Sequence, residues 1–322
     1  MKRREFLRTS AAALAGLSLG ACNRPSPDTP DRPDEENKAA SSEAGTSSFH
    51  DISGTGASSY FSLTQLSSAT DTIGNSYLLV TGSGKVIMMD GGMPTDESKL
   101  RSRLAAVGNH VDAWFISHPH GDHVGALIPI LENRNGISIG SIYYSRLSST
   151  LLSQESGANN TYATPFYNAL AVQTETDVIN VQRTGQVFTV DGVSIKVLGI
   201  ANPEILNNAY NNSSMILKVS DATKSVLFLG DAGEECGEKL LKAYPGELEC
   251  DYIQMAHHGQ QGCNQKFYNA AKFKACLWPT PSWLWKAGES SQYKTWETRK
   301  WIEAKGITEN HVSSIETDWK LK

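Results

Sequence analysis

Ser117-His118-Pro119-His120-Gly121-Asp122-His123 gathers three of the chain's eight histidines around one carboxylate. Imidazole nitrogen and carboxylate oxygen are donors that suit zinc, iron or manganese. One histidine here would be read as a partner for the backbone; this density, with Gly121 easing a turn, is read as a ligand set. In extended backbone, residues two apart project to the same side, so His118 and His120 can converge on one ion. As the chain turns into a helix, Asp122 and His123 swing to a neighbouring position and can hold a second.

The elements that must position these groups are legible on either side. Val111-Asp112-Ala113-Trp114-Phe115-Ile116 reads as a short apolar strand, and Val124, Leu127, Ile128 and Leu131 recur at helical spacing. The motif therefore sits where a strand ends and a helix begins. Earlier, 60–66, 77–81 and 85–89 read as strands, with Gly82-Ser83-Gly84 as a tight hairpin, and 95–107 as a helix. Later strands are expected at 141–145, 178–181, 187–190, 193–198, 215–219, 226–229 and 252–255. Helices are expected at 166–172, 236–243, 265–271 and 297–304. Periodicity alone gives mixed α/β.

The His-x-His-x-Asp-His tetrad resembles that of the metallo-β-lactamase superfamily, and further landmarks resemble it from about Tyr60 onward. Val86-Ile87-Met88-Met89-Asp90-Gly91-Gly92 is similar to a strand whose aspartate supports the metal site. Ser225 to Asp231 is similar to the strand whose terminal aspartate bridges two metals, and Tyr252 to Gly259, ending His257-His258-Gly259, to the last ligand-bearing strand. The resemblance implies a four-layered αβ/βα sandwich over 59–322. It also implies one ion on His118, His120 and Asp231, and another on Asp122, His123, Asp231 and His258. His257 would face the substrate, and Asp90 would orient a ligand histidine. One departure is plain: no histidine lies between His123 and His257, where the family usually supplies another ligand. Asn211-Asn212-Ser213-Ser214 stands there instead. Its Asn-x-x-Ser pattern, Asn211 to Ser214, resembles the subgroup of competence DNA-uptake channel hydrolase domains and phosphorylcholine esterases. Asn211, Asn212 and Ser214 are therefore expected beside the metals or substrate.

The first 22 residues carry Arg3-Arg4 followed by Phe6-Leu7, an apolar stretch too short to span a bilayer, and Leu19-Gly20-Ala21-Cys22. They resemble a twin-arginine export signal ending in a lipobox, with Cys22 as the lipidated residue. Residues 23–58 are rich in Pro, Ser and acidic side chains and read as a disordered tether. The expected location is extracytoplasmic, on a bacterial membrane. Cys236, Cys250, Cys263 and Cys276 are compatible either with bridges or with free buried thiols. A formal charge of −5 without a basic stripe argues against long nucleic acid as a partner.

The function expected is hydrolysis by a water ionised at two metals, most simply zinc, with manganese or iron also compatible. Asp122 and His257 are the catalytic candidates. A phosphodiester, in a small molecule, nucleotide or envelope component, is the leading substrate. Carboxylic-ester, lactone or β-lactam hydrolysis on the same site, or a non-catalytic envelope-binding role, are the alternatives. Trp278, Trp283 and Trp285 could wall an aromatic pocket or belong to the core. Tyr143, Tyr144 and Arg146 could meet an anion or lie on the surface.

Overall fold

Val86–Met89 reads Val-Ile-Met-Met, apolar at every position, and such a strand must be covered on both faces. In the computed structural model it is. The structure describes residues 51–52, 60–156 and 161–313, all within the unit Ser48–Lys322. Cys22, the expected export signal and most of the expected tether fall outside the described residues.

Two sheets carry the fold, with strands numbered along the chain. One runs, side by side, β2 (Phe61–Gln65), β3 (Tyr77–Thr81), β4 (Val86–Met89), β5 (His110–Phe115), β6 (Ser138–Tyr144) and β7 (Asp177–Asn180). The other runs β1 (Asp51–Ile52), β8 (Val187–Val190), β9 (Val193–Gly199), β10 (Ile216–Ser220), β11 (Ser225–Phe228), β12 (Tyr252–Gln254), β13 (Ala275–Trp278) and β14 (Glu309–Val312). In both sheets antiparallel hairpins give way to parallel strands.

Alternation along the strands builds the layers. Tyr77, Leu79, Ile87, Met89, Ala113 and Phe115 point inward, where they meet Phe188, Val190, Ile195, Val197, Leu217 and Phe228 of the opposite sheet. Leu78, Val86, Met88 and Trp114 point outward, onto α1 (Glu97–Ala105), α3 (Leu127–Glu132) and α5 (Ala163–Ala171). On the far side Ile216, Leu227, Ile253 and Cys276 cover α6 (Glu234–Ala243), α7 (Gln265–Ala270) and α9 (Thr295–Ala304). The result is the αβ/βα sandwich.

Several expectations change. The helix expected after the tetrad is two short pieces, α2 (Gly121–Val124) and α3. Asp51–Ile52, inside the stretch expected as tether, pairs with β8. The strands β13 and β14 had no clear pattern in the sequence. Trp278 belongs to β13 and is fully buried, and Trp285 packs edge-on against it at 5.2 Å; both line a pocket with Trp296, Arg299 and Asn310 to which none of the candidate metal ligands contributes, and of the three only Trp283 presents an exposed ring. Tyr143 and Tyr144 are core residues as well. Tyr143 stacks on Phe115 at 4.5 Å, and Arg146 lies over the Tyr167 ring.

Phe115 ties the layers together, since it also reaches Phe188 of the other sheet at 6.0 Å. Phe115→Ala is expected to lower unfolding free energy by ~3–5 kcal/mol, the range for truncating a buried aromatic. Urea denaturation measures it, and a loss under about 1 kcal/mol would contradict this packing.

Candidate metal centre

The candidate groups arrive at one edge, from the ends of strands in both sheets. Asp90 follows β4, Ser117 to His123 follow β5, and Ser214 precedes β10. Asp231 follows β11, and His257-His258 follow β12. Gly230, just before Asp231, has φ +55 and lies so close to the β5 loop that a Cβ would come within 2.8 Å of Ser117 and 2.9 Å of the Ser214 hydroxyl. Only glycine allows both the turn and the approach.

Asp122, His123, Asp231 and His258 form a group whose donor atoms all lie within 4.8 Å of one another. His258 Nε2 is 2.8 Å from Asp122 Oδ2 and 3.4 Å from Asp231 Oδ2; His123 Nε2 is 3.2 Å from Asp231 Oδ1. A second convergence adjoins it. His118 Nε2 lies 2.9 Å from His120 Nδ1 and 3.9 Å from Asp231 Oδ2. Asp231 thus reaches three imidazoles and stands between the two sets.

Each of the four imidazoles has its other nitrogen occupied, which fixes the ring and the face it offers. His123 Nδ1 is 2.8 Å from Asp90 Oδ2, and His258 Nδ1 is 2.9 Å from the Pro279 carbonyl. His118 Nδ1 has the Ser117 hydroxyl at 3.0 Å and that of Ser214 at 3.3 Å. His120 Nε2 has Glu155 Oε2 at 2.7 Å. Asp90 meets His123 on the side of the ring away from Asp231. It also accepts from Asn75 Nδ2, the Ser117 backbone N–H and the Ser117 hydroxyl. Trp114 Nε1 donates to its carbonyl.

The remaining candidates divide. Ser214 supports His118 and also accepts the Asp231 N–H at 3.0 Å. Asn211 Nδ2 lies 3.3 Å from His257 Nε2. Asn212 departs from its expected place. Its Oδ1 accepts the Cys236 N–H in the first turn of α6 and its Nδ2 reaches Glu235, so a fully buried side chain is used up on a helix end. Glu155, Ser117 and the Pro279 carbonyl were not singled out in the sequence. Ser117 adjoins the tetrad and was within reach of that argument; Glu155 carries no pattern of its own.

Electrostatics separate the imidazoles. Burial disfavours the charge on His258, but Asp231 and Asp122 override it and lift its pKa to about 10. His123 is likewise driven well above the ordinary histidine range, against burial, by Asp231 and Asp90. Burial, reinforced by His123 and His120, pushes His118 well below it. Burial would raise Asp122 and Asp231, yet the attraction of His123 and His258 holds both below the usual carboxylate range.

These residues fit a divalent cation. His123 Nε2 and Asp231 Oδ1 are buried and have no hydrogen-bond partner, although they face each other. The donor set is nitrogen and oxygen only, which suits zinc, iron and manganese. Because His123 and His258 hold protons at neutral pH when only these side chains face one another, a cation must displace them. Adding zinc to chelator-treated protein at pH 7–8 is expected to release protons, with apparent affinity rising as pH approaches the raised His258 value. Calorimetry in buffers of different ionisation enthalpy measures this; no buffer dependence would contradict it.

Comparison with known proteins agrees with this geometry. The sequence model of the Metallo-beta-lactamase superfamily matches residues 69–300. A Beta-lactamase-like protein 2 homolog of Caenorhabditis elegans is 42% identical over 60 residues, 18% of this chain and 20% of its own. A UPF0173 metal-dependent hydrolase of Bacillus mycoides is 35% identical over 66 residues, 20% of this chain and 28% of its own. The matched stretches thus span under a third of those relatives. The metallo-beta-lactamase fold protein YhfI of Bacillus subtilis superposes with TM-score 0.50 at 16% identity, over 81% of this chain and 98% of its own.

Proposed function

We propose that this chain, a metal-dependent hydrolase belonging to the metallo-β-lactamase superfamily, cleaves a phosphodiester in a small molecule, nucleotide or cell-envelope component. The observation that carries the reading is Asp231, buried within reach of His118, His123 and His258. One carboxylate so placed can serve two cations at once. In this proposal His118, His120 and Asp231 hold one ion, and Asp122, His123, Asp231 and His258 hold the other. Zinc is the proposed metal, and the donors also suit manganese or iron.

Cations bound there supply Lewis-acid polarisation and lower the pKa of water to about 7. The chain's own groups do the rest. Asp90 and the Pro279 carbonyl keep His123 and His258 turned inward. Asp122 and Asp231, held ionised by His123 and His258, accept hydrogen bonds from the attacking water and so orient it, and its proton passes to solvent. Burial keeps His257 neutral, its pKa below the ordinary histidine range although Asp231 pulls the other way. Its Nε2 lies against Asn211 and its Nδ1 lacks a partner, so His257 is the proposed hydrogen-bond donor, through Nδ1–H, to a phosphate or leaving oxygen. The Asn211 to Ser214 pattern and the doubled histidine support phosphodiesters over β-lactams. The resemblance of residues 1–22 to a twin-arginine lipoprotein signal, ending at Cys22, supports a lipid-anchored, extracytoplasmic location.

Purified protein is expected to contain one to two equivalents of metal and to hydrolyse bis-p-nitrophenyl phosphate. Turnover of carboxylic esters alone would overturn the substrate class. Asp122→Ala is expected to reduce kcat/KM by ~10²–10³-fold, the scale of losing one preorganised electrostatic group, without unfolding the domain. Cys22→Ala should shift the protein from the membrane to the soluble fraction on cell fractionation. Continued membrane association would refute the anchor.

A further inference from the structure

With no histidine between His123 and His257, the cation position of His118 and His120 has one imidazole fewer than the resemblance leads one to expect. Yet His120 is held from several sides. Its Nδ1 is 2.9 Å from His118 Nε2, and its Nε2 is 2.7 Å from Glu155 Oε2. Its ring stacks on Tyr210 with centroids 5.2 Å apart and planes 22° from parallel. The other Glu155 oxygen, Oε1, accepts the Tyr210 backbone N–H at 2.9 Å. Carboxylate and aromatic platform are therefore tied to each other as well as to the imidazole. The contact is largely shielded from water: the side chains of His120 and Glu155 are 13% and 11% exposed.

We infer that Glu155 is a positioning residue that offsets the absent histidine. An ionised carboxylate only accepts hydrogen bonds, so the His120 proton belongs on Nε2 and the Nδ1 lone pair faces His118 Nε2. An anion one imidazole removed from a cation also strengthens that imidazole as a donor. Asp90 does the same for His123 from the end of β4. Glu155 comes instead from just after α4 (Ser149–Leu152), and Tyr162, just before α5, also meets the tetrad. The Tyr162 ring sits so close to Gly121 that a Cβ there would come within 2.5 Å of it. Tyr162 and Glu155 thus brace the backbone of the metal loop and one of its imidazoles.

The inference rests on reading His118, His120 and Asp231 as a cation position, and the experiment separates the two. Full-length wild type, Glu155→Ala and the isosteric Glu155→Gln are stripped of metal and titrated with cobalt(II) against a competing chelator. Visible absorption and metal analysis give affinity and stoichiometry. Wild type is expected to take two ions. Glu155→Ala should weaken one by about 10–100-fold and leave the other unchanged. Glu155→Gln should fall between, since its amide oxygen still accepts from Nε2 but carries no charge. If both variants bind two ions as tightly as wild type, even with reduced thermal stability, Glu155 merely holds the segment and the inference fails while the metal centre stands. If wild type binds fewer than two ions, the His118–His120–Asp231 position itself is wrong and the inference falls with it. Should Glu155→Ala not fold, Glu155→Gln alone decides.

Discussion

Asp231 is 1% exposed and reaches three imidazoles, and the remainder of the edge is arranged so that this burial is tolerable. A carboxylate moved into a protein interior without compensation loses several kcal/mol of solvation. Here Asp122 lies beside it with the same charge, and the balance comes from His123 and His258, both fully buried. Opposite charges in a poorly screened interior attract strongly, but they also leave Asp231 Oδ1 and His123 Nε2 without hydrogen bonds. A cation completes that balance, which is why the electrostatics and the coordination chemistry point the same way.

Delivering donors from strand ends in two sheets imposes backbone conformations that ordinary residues avoid. Asp90 has φ 54, His257 has φ 52 and His258 has φ 56. Left-handed backbone at non-glycine residues costs ~1–3 kcal/mol each and persists where surrounding contacts over-determine it. The contacts are present. The Asp90 carboxylate accepts from four donors, the His257 N–H donates to the Gly230 carbonyl at 3.1 Å, and Thr280 Oγ1 donates to the His258 carbonyl at 2.7 Å. The strain lies at the ends of β4 and β12, next to the donors, while the strands behind them are regular.

The parts of the site that could be read in the sequence are those whose chemistry is compressed into a short stretch or marked by a strand. The tetrad lies within six residues, and Asp231 and His258 each end an apolar run, so hydrophobic pattern and resemblance together locate them. Asn212 illustrates the opposite case: an asparagine beside a metal and an asparagine capping a helix look alike until the helix is seen. Glu155 sits in a segment without periodicity and meets a histidine 35 positions away, so only the fold brings it into view. Apolar runs in β3 to β5 and alternation in β8 and β9 marked strands and gave only mixed α/β, and the layered sandwich came from the resemblance. In contrast β14, Glu-Asn-His-Val, offered no apolar pattern, and the β13 tryptophan, read equally as pocket wall or core, is fully buried.

Cys236, Cys250, Cys263 and Cys276 are all free and buried. Burial pushes their thiols up, to about 12 for Cys236 and Cys250, so almost none is thiolate at physiological pH. Sulfur kept protonated and out of solvent neither crosslinks nor reacts readily with peroxide or glutathione. The described domain is therefore held by packing and hydrogen bonds, and none of these four sulfurs is bonded to another.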